Sequence, residues 1–320
     1  MTETIQSLPL IAQLAIIIVG GYFLEVGARG AARAVVLFAH LARLREFFVG
    51  FILLALATTI PEITIGVLAL RDGLPTLPYG NLLGGIIILP SIVAGLVALT
   101  SRGVNVIRLL TMREIVALVA ILVAPSLIAL DGNVTRIEGF ILILLYTCYI
   151  TSVFRHEPHD FSDAVSLNRR RLLNDGARFI VGVIVLLVAA SVVLAAAKGA
   201  ALQLGAPPIL IGLLLLAIGT NLPELTLSLV MHNKRKRSLI MGDILGSAAI
   251  NVPTIGVIAI LQPFTIPTMA PIILAIAATT IIGVTFAIVA RTGRTIRRTE
   301  GALLFALGIG YVLLATLLIV

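Results

Sequence analysis

Two short stretches of this chain carry the residue types that could do chemistry, and they repeat one pattern. Ala57-Thr58-Thr59-Ile60-Pro61-Glu62 and Gly219-Thr220-Asn221-Leu222-Pro223-Glu224 each set hydroxyl or amide side chains, a proline and a carboxylate inside an apolar run. On a helix, Thr58 and Thr59 share a face with Glu62, and Thr220 and Asn221 stand in the same relation to Glu224. A charged side chain at the centre of a bilayer costs about 2.5–3.5 kcal/mol on insertion scales. Each glutamate therefore needs a cation, a proton or polar neighbours, and no Lys or Arg lies at matching depth. The two stretches together offer two carboxylates, three hydroxyls and one amide. Such an all-oxygen set suits a hard cation such as Ca²⁺, which takes about 6–8 oxygens. It does not suit zinc or copper, because no His or Cys is available there. The prolines add a second device. Pro61 cannot donate to the carbonyl of Ala57, nor Pro223 to that of Gly219. Bare carbonyls are costly in lipid, and a desolvated cation can satisfy them.

Glu62 and Glu224 are 162 residues apart, and the same offset sets Gly50 on Gly212, Ala55 on Ala217, Thr58 on Thr220, Asn81 on Asp243 and Gly84 on Gly246. This is an internal duplication. A lone Thr-x-Pro in a membrane helix is ordinarily a kink repaired by its neighbours; its recurrence with a glutamate at fixed offset points to function. The next helix of each copy is less alike. Ser247 and Asn251 stand one turn apart and can face a site, whereas their partners by offset, Gly85 and Leu89, cannot ligate by side chain. Asn81 and Asp243, near the starts of their segments, either cap a helix or line an access path.

The elements that position these residues follow from composition. The chain is 59% hydrophobic and 12% charged, with a mean hydropathy of +1.15, so it lacks the residues for the surface of a soluble 320-residue domain. Ten apolar segments are expected at about 8–42, 46–70, 77–99, 111–130, 134–154, 174–201, 207–231, 238–262, 265–290 and 300–319. No series of short alternating strands suggests a barrel. The first and sixth segments are long for a simple span and should tilt.

With ten spans and the N-terminus outside, the connections on the inner side carry seventeen basic residues, from Arg43 to Arg298, against two, Arg71 and Arg136, on the outer side. That asymmetry favours both termini on the non-cytoplasmic side. It also explains the formal charge of +8 without nucleic acid. Five spans per half is an odd number, so the halves enter the membrane in opposite senses and a site forms near the midplane. The expected fold is an all-α integral membrane protein of ten transmembrane helices in two inverted five-helix repeats. The first repeat is 1–154, a cytoplasmic linker runs over 155–173, and the second repeat is 174–320. The linker, with His156, Glu157, His159, Asp160 and Asp163, reads as a solvated connector. Glu25 and Arg29 are one turn apart and can pair near the headgroups. Met1 to Leu10 has no Lys or Arg, so the first helix should be retained rather than cleaved as a signal peptide. The single cysteine, Cys148, forms no internal disulfide. No nucleophile stands with a base, so an enzyme is not expected.

On these residues the chain resembles the calcium/cation antiporter superfamily of the sodium/calcium exchanger type. That family carries, in each of two inverted five-helix repeats, a Gly-Thr-Ser-x-Pro-Glu stretch followed by Gly-Asn-x-x-Gly-Ser-Asn-x-x-Asn or Asp. The resemblance implies Glu62 and Glu224 as central ligands, with Thr58, Thr59, Thr220 and Asn221 beside them. Ser247 and Asn251 match ligand positions of the later helix, and Ala55 and Ala217 match main-chain carbonyl ligands. Gly85 and Leu89 depart from the family, standing where it has Ser and Asn; Asn221 replaces a serine and Ala57 a glycine. With fewer oxygens, coupling to protons through the glutamates, or to fewer sodium ions, gains over a full multi-sodium cycle. The expected function is secondary antiport of Ca²⁺ against Na⁺ or H⁺ at the cell (inner) membrane by alternating access. Helices 1 and 6 would slide, and no cofactor beyond the transported ions is needed. A carrier for Mg²⁺, Mn²⁺ or K⁺, and a non-transporting relative with a degenerate site, are the alternatives.

Overall fold

The computed structural model describes residues 2–41, 55, 59–100, 104–105, 111–155, 169–221, 224–225, 237–293 and 295–318. The expected Glu25–Arg29 pair, the middle of the linker, Thr58 and Pro223 lie outside the described residues or side chains. A short helix α1 (Thr2–Gln6) leads into α2 (Leu10–Leu41), and α3 (Ile60–Arg71) follows. Helix α4 (Thr76–Ile88) passes through a π-helical turn, Leu89–Val93, into α5 (Ala94–Thr100). Strand β1 (Val104–Asn105), helix α6 (Met112–Ile128), β2 (Asn133–Val134) and α7 (Arg136–Arg155) complete the first half. The second half runs through α8 (Arg169–Leu204), α9 (Pro208–Ile211) with a π-helical turn over Gly212–Leu216, and α10 (Arg237–Leu261). It ends with β3 (Phe264–Thr265), α11 (Ala270–Gly293), β4 (Thr295–Ile296) and α12 (Arg298–Leu317).

Among the described residues, seven helices are long and apolar enough to cross a membrane, and Leu10–Leu24 and Pro208–Asn221 are shorter apolar helices. Helices α2 and α8, of 32 and 36 residues, are the longest. At 1.5 Å per residue each is about 50 Å long, well beyond a hydrocarbon core of about 30 Å. They pack along one another in an apolar cluster of their own, with Ile17 and Leu24 against Leu186, Ala190, Val193 and Ala197. Small residues permit this contact: a Cβ on Gly27 would stand 2.7 Å from the Leu186 amide nitrogen. A larger cluster joins α4 to α7 with α10 to α12.

The 162-residue offset recurs in the element boundaries. Helix α7 shifted by 162 is α12, and β2 shifted by 162 is β4. Both helices begin on matching N-terminal bonds, Glu138 accepting from the Thr135 amide (2.7 Å) and Glu300 from the Arg297 amide (2.7 Å). The strands form two antiparallel ribbons, Val104 opposite Ile296 and Asn133 opposite Thr265. One ribbon ties the α5–α6 connection to the α11–α12 connection; the other ties α6–α7 to α10–α11.

Helix α4 is clamped against the second half. A Cβ on Gly212 would lie 2.7 Å from the Asn81 amide nitrogen, and one on Gly84 would lie 2.5 Å from the Ala217 Cβ. The Tyr79 hydroxyl donates to the Pro125 carbonyl (2.7 Å), and its ring meets Phe264 edge-on at 5.2 Å. These contacts fix Asn81 against the second half.

Candidate site at two proline-glutamate helix breaks

Why Glu62 tolerates burial begins with its proline. Pro61 occupies the first turn of α3, where a missing N–H costs nothing, and Thr59 is the cap residue. Helix α3 therefore begins at the break, and Glu62 falls in its first turn. The positive end of the helix dipole and the Glu62 main-chain N–H meet that carboxylate. The Thr59 hydroxyl does not cap the helix; it donates to the Ala55 carbonyl (2.8 Å). In the second copy the Asn221 amide nitrogen donates to the Ala217 carbonyl (2.7 Å). Hydroxyl and amide thus do the same work at matching positions: each holds the carbonyl one turn earlier, the one expected to act as a main-chain ligand.

The polar residues of both breaks are withdrawn from the surface. Glu62 is 4% exposed, Glu224 1%, Asp243 1% and Asn81 0%. Thr59, Thr220, Asn221, Ser247 and Asn251 are buried as well. The Glu62 carboxylate of the first half lies near the Thr220 side chain of the second. The Thr220 hydroxyl donates to Asn81 Oδ1 (3.2 Å). Asn81 Nδ2 has no hydrogen-bond partner among the described residues. One Glu62 oxygen, Oε2, also has no hydrogen-bond partner among the described residues. A buried carboxylate oxygen without a donor is a place for a cation or a proton.

Asn251 donates to the Leu82 carbonyl (3.3 Å), which ties α10 to α4. Of the twelve candidate residues, the structure links Glu62, Thr220 and Asn81 in one set and joins Thr59 to Ala55 and Asn221 to Ala217; Thr58 lies outside the described residues. Glu224, Asp243 and Ser247 are buried and engaged in polar interactions. The capping alternative for Asn81 and Asp243 is corrected. Helix α4 begins at Thr76 after Pro75 and α10 at Arg237, so both residues stand in helix interiors.

Sequence reasoning missed Asp72. It lies just past α3, where its carboxylate pairs with Lys198 of α8 beside a cavity of about 490 Å³ also lined by Arg71, Gln6 and Ser191. The signal was Lys198 itself, a cation in an apolar helix, which calls for an acid near its end. An apolar groove of about 580 Å³ lies elsewhere, between α2 and α8, and has no carboxylate in its lining.

A family model described as sodium/calcium exchanger protein matches residues 12–155 and 176–317. CaxA of Alkalimonas amylolytica, whose name is that of an antiporter, is 29% identical over 229 residues, covering 67% of this chain and 70% of its own. The inner membrane protein YrbG of Escherichia coli is 26% identical over 235 residues, covering 69% and 71%. A solved structure of the sodium-calcium exchanger NCX_Mj superposes with a TM-score of 0.65 at 23% identity, covering 94% of this chain and 98% of that one, and shows the same fold. The chain is an all-helical membrane protein that belongs to the sodium/calcium exchanger family.

Proposed function

We propose that the protein is a secondary antiporter that exchanges Ca²⁺ for Na⁺ or H⁺ by alternating access. Its site is built from the two proline-glutamate breaks. The observation that carries this reading is the Glu62 carboxylate, buried, with one oxygen lacking a hydrogen-bond partner among the described residues, beside Thr220 of the other half. Glu62 and Glu224 take the cation with oxygens of Thr58, Thr59, Thr220, Asn221, Ser247 and Asn251 and the Ala55 and Ala217 carbonyls. Asn81 and Asp243 brace or border the site. Membership in a family of exchangers supports cation antiport. The oxygen-only donor set supports a hard cation over a soft one.

The architecture proposed is ten spans in two inverted repeats, 1–154 and 174–320, joined by the linker 155–173. The parity of the two ribbons supports it. With ten crossings, the connections joined in each ribbon fall on one side of the membrane. The bias of basic residues supports both termini on the non-cytoplasmic face of the cell membrane. Helices α2 and α8, packed mainly on each other, are the elements that move.

The test is uptake of labelled calcium into proteoliposomes under an imposed sodium or proton gradient. Flux that ignores both gradients would eliminate antiport. Undiminished flux in Glu62→Gln or Glu224→Gln would eliminate the site.

A further inference from the structure

We propose that Gly21 is a positioning residue for exchange: it lets the α2–α8 pair seal backbone to backbone on the second proline-glutamate break, a contact that the residue types of the first copy exclude. The inference rests on the antiport reading above, with α2 and α8 as the moving elements. A Cβ on Gly21 would fall on the Gly219 carbonyl oxygen and stand 3.1 Å from the carbonyl carbon. The backbone of α2 therefore lies directly on the backbone of the break. Gly219 returns the contact, since a Cβ there would stand 3.1 Å from Ile17 Cγ2. Both glycines are buried. The covered carbonyl is the one to which Pro223 cannot donate. A glycine Cα–H against it is a weak partner, available only while α2 stays this close.

The seal exists at one register of α2 only. One turn away on the same face stand Ile17 and Leu24, both buried and both too large to lie where Gly21 lies. Sliding α2 by a turn in either direction brings one of them to the carbonyl and parts the two backbones. The offset partners of Gly21 and Gly219 are Val183 and Ala57, so the equivalent contact in the first copy would meet two Cβ atoms. The two access states are thereby unequal, and the sealed one is favoured. The described state fits that bias. Where α8 faces α3 of the first half, a cavity of about 490 Å³ lies between Leu68 and Arg71 of α3 and Ser191 and Lys198 of α8. Gly20, the next residue on α2, turns elsewhere: its Cβ would meet the Val193 side chain of α8, inside the pair. Two adjacent glycines thus serve different contacts, one within the moving unit and one across its boundary.

The experiment uses the full-length protein in proteoliposomes of uniform orientation, with labelled Ca²⁺ as the probe. It reads the half-saturating calcium concentration at each face of the membrane. Each value scales inversely with the population of the state open to that face. Gly21→Ala pries the seal apart and shifts the ratio of the two values about tenfold, one rising while the other falls. Gly20→Ala strains the pair only internally and leaves the ratio within about twofold. Damage to the ion site itself moves both values alike, so the ratio separates positioning from a merely structural effect. Gly219→Ala enters the same seam from the opposite side with a milder clash, against the Ile17 side chain, and shifts the ratio the same way by about threefold. Should Gly21→Ala not fold, Gly219→Ala decides. A ratio unchanged in the seam variants, or moved as far by Gly20→Ala, overturns the proposal. Gradient-driven uptake with an unchanged ratio removes this inference alone. Wild-type uptake that ignores every imposed gradient removes the antiport reading with it.

Discussion

The two proline-glutamate stretches share a sequence pattern and a side-chain bond to the carbonyl one turn earlier, but differ in side chains. In the first, a hydroxyl, Thr59, holds the Ala55 carbonyl; in the second, an amide, Asn221, holds that of Ala217. One helix later the difference grows, because Gly85 and Leu89 face the offset partners Ser247 and Asn251. The second half is longer in reach and richer in polar atoms, and it extends into space the first half vacates: a Cβ on Gly85 would stand 2.6 Å from Asn251 Nδ2. Duplicated halves can therefore diverge by trading volume. A missing side chain in one copy is room for an amide from the other, and close packing makes the two changes depend on each other.

The comparison breaks most severely at the carboxylates. Glu62→Gln and Glu224→Gln should each lower calcium flux by more than about 100-fold, since even the outer partners of metal ligands cost about 10–100-fold. Equal losses would show that the halves still share the ion despite their side chains, and a large loss at one alone would show that the asymmetry has reached the centre. Thr220→Val is next. It removes the hydroxyl beside Glu62 and leaves Asn81 buried without that partner, a cost of about 1–3 kcal/mol that calcium affinity and thermal unfolding should both register. Gly212→Ala tests the seam between the halves. Its Cβ would press on the Leu77 carbonyl oxygen and the Asn81 main-chain nitrogen (2.7 Å), and overpacking of this kind lowers stability by about 1–3 kcal/mol. Asn221→Ala against Thr59→Ala sharpens the comparison directly. Each frees one carbonyl, and each should shift calcium affinity by about 0.5–1.5 kcal/mol, the two values differing only if hydroxyl and amide contribute unequally. Asp72→Asn should matter least. The Lys198 pair is 19% and 45% exposed, and such pairs give about 1 kcal/mol or less of stability, declining with added salt.

Much of the site was legible in the sequence because its information is local. Glutamate in an apolar run states a burial problem, and proline one residue earlier states where a helix restarts. The structure adds that Pro61 puts Glu62 in the first turn of α3, so the positive end of the helix dipole meets the carboxylate. The long helices α2 and α8 were legible as well, since run length converts directly to span. Other features were not. Whether Asn81 capped a helix or sat inside one depended on where α4 begins, and Pro75 places that start five residues earlier. The Asp72–Lys198 pair joins residues 126 apart: Lys198 in an apolar helix announces the need for an acid, but no local pattern says which acid meets it.

What the sequence decided alone was the kind of molecule: a chain too apolar to live in water, doubled at a fixed offset, with an acid buried in each copy. Periodicity, run length and offset are properties of one dimension. What tertiary structure decided was which groups meet across the halves. Thr220 lies beside Glu62 and bonds Asn81, and two amides occupy the place of a side chain that Gly85 lacks. Those contacts arise because α4 lies flush against the opposite half, and how near two backbones come is set by the packing of every residue between them rather than by any one stretch.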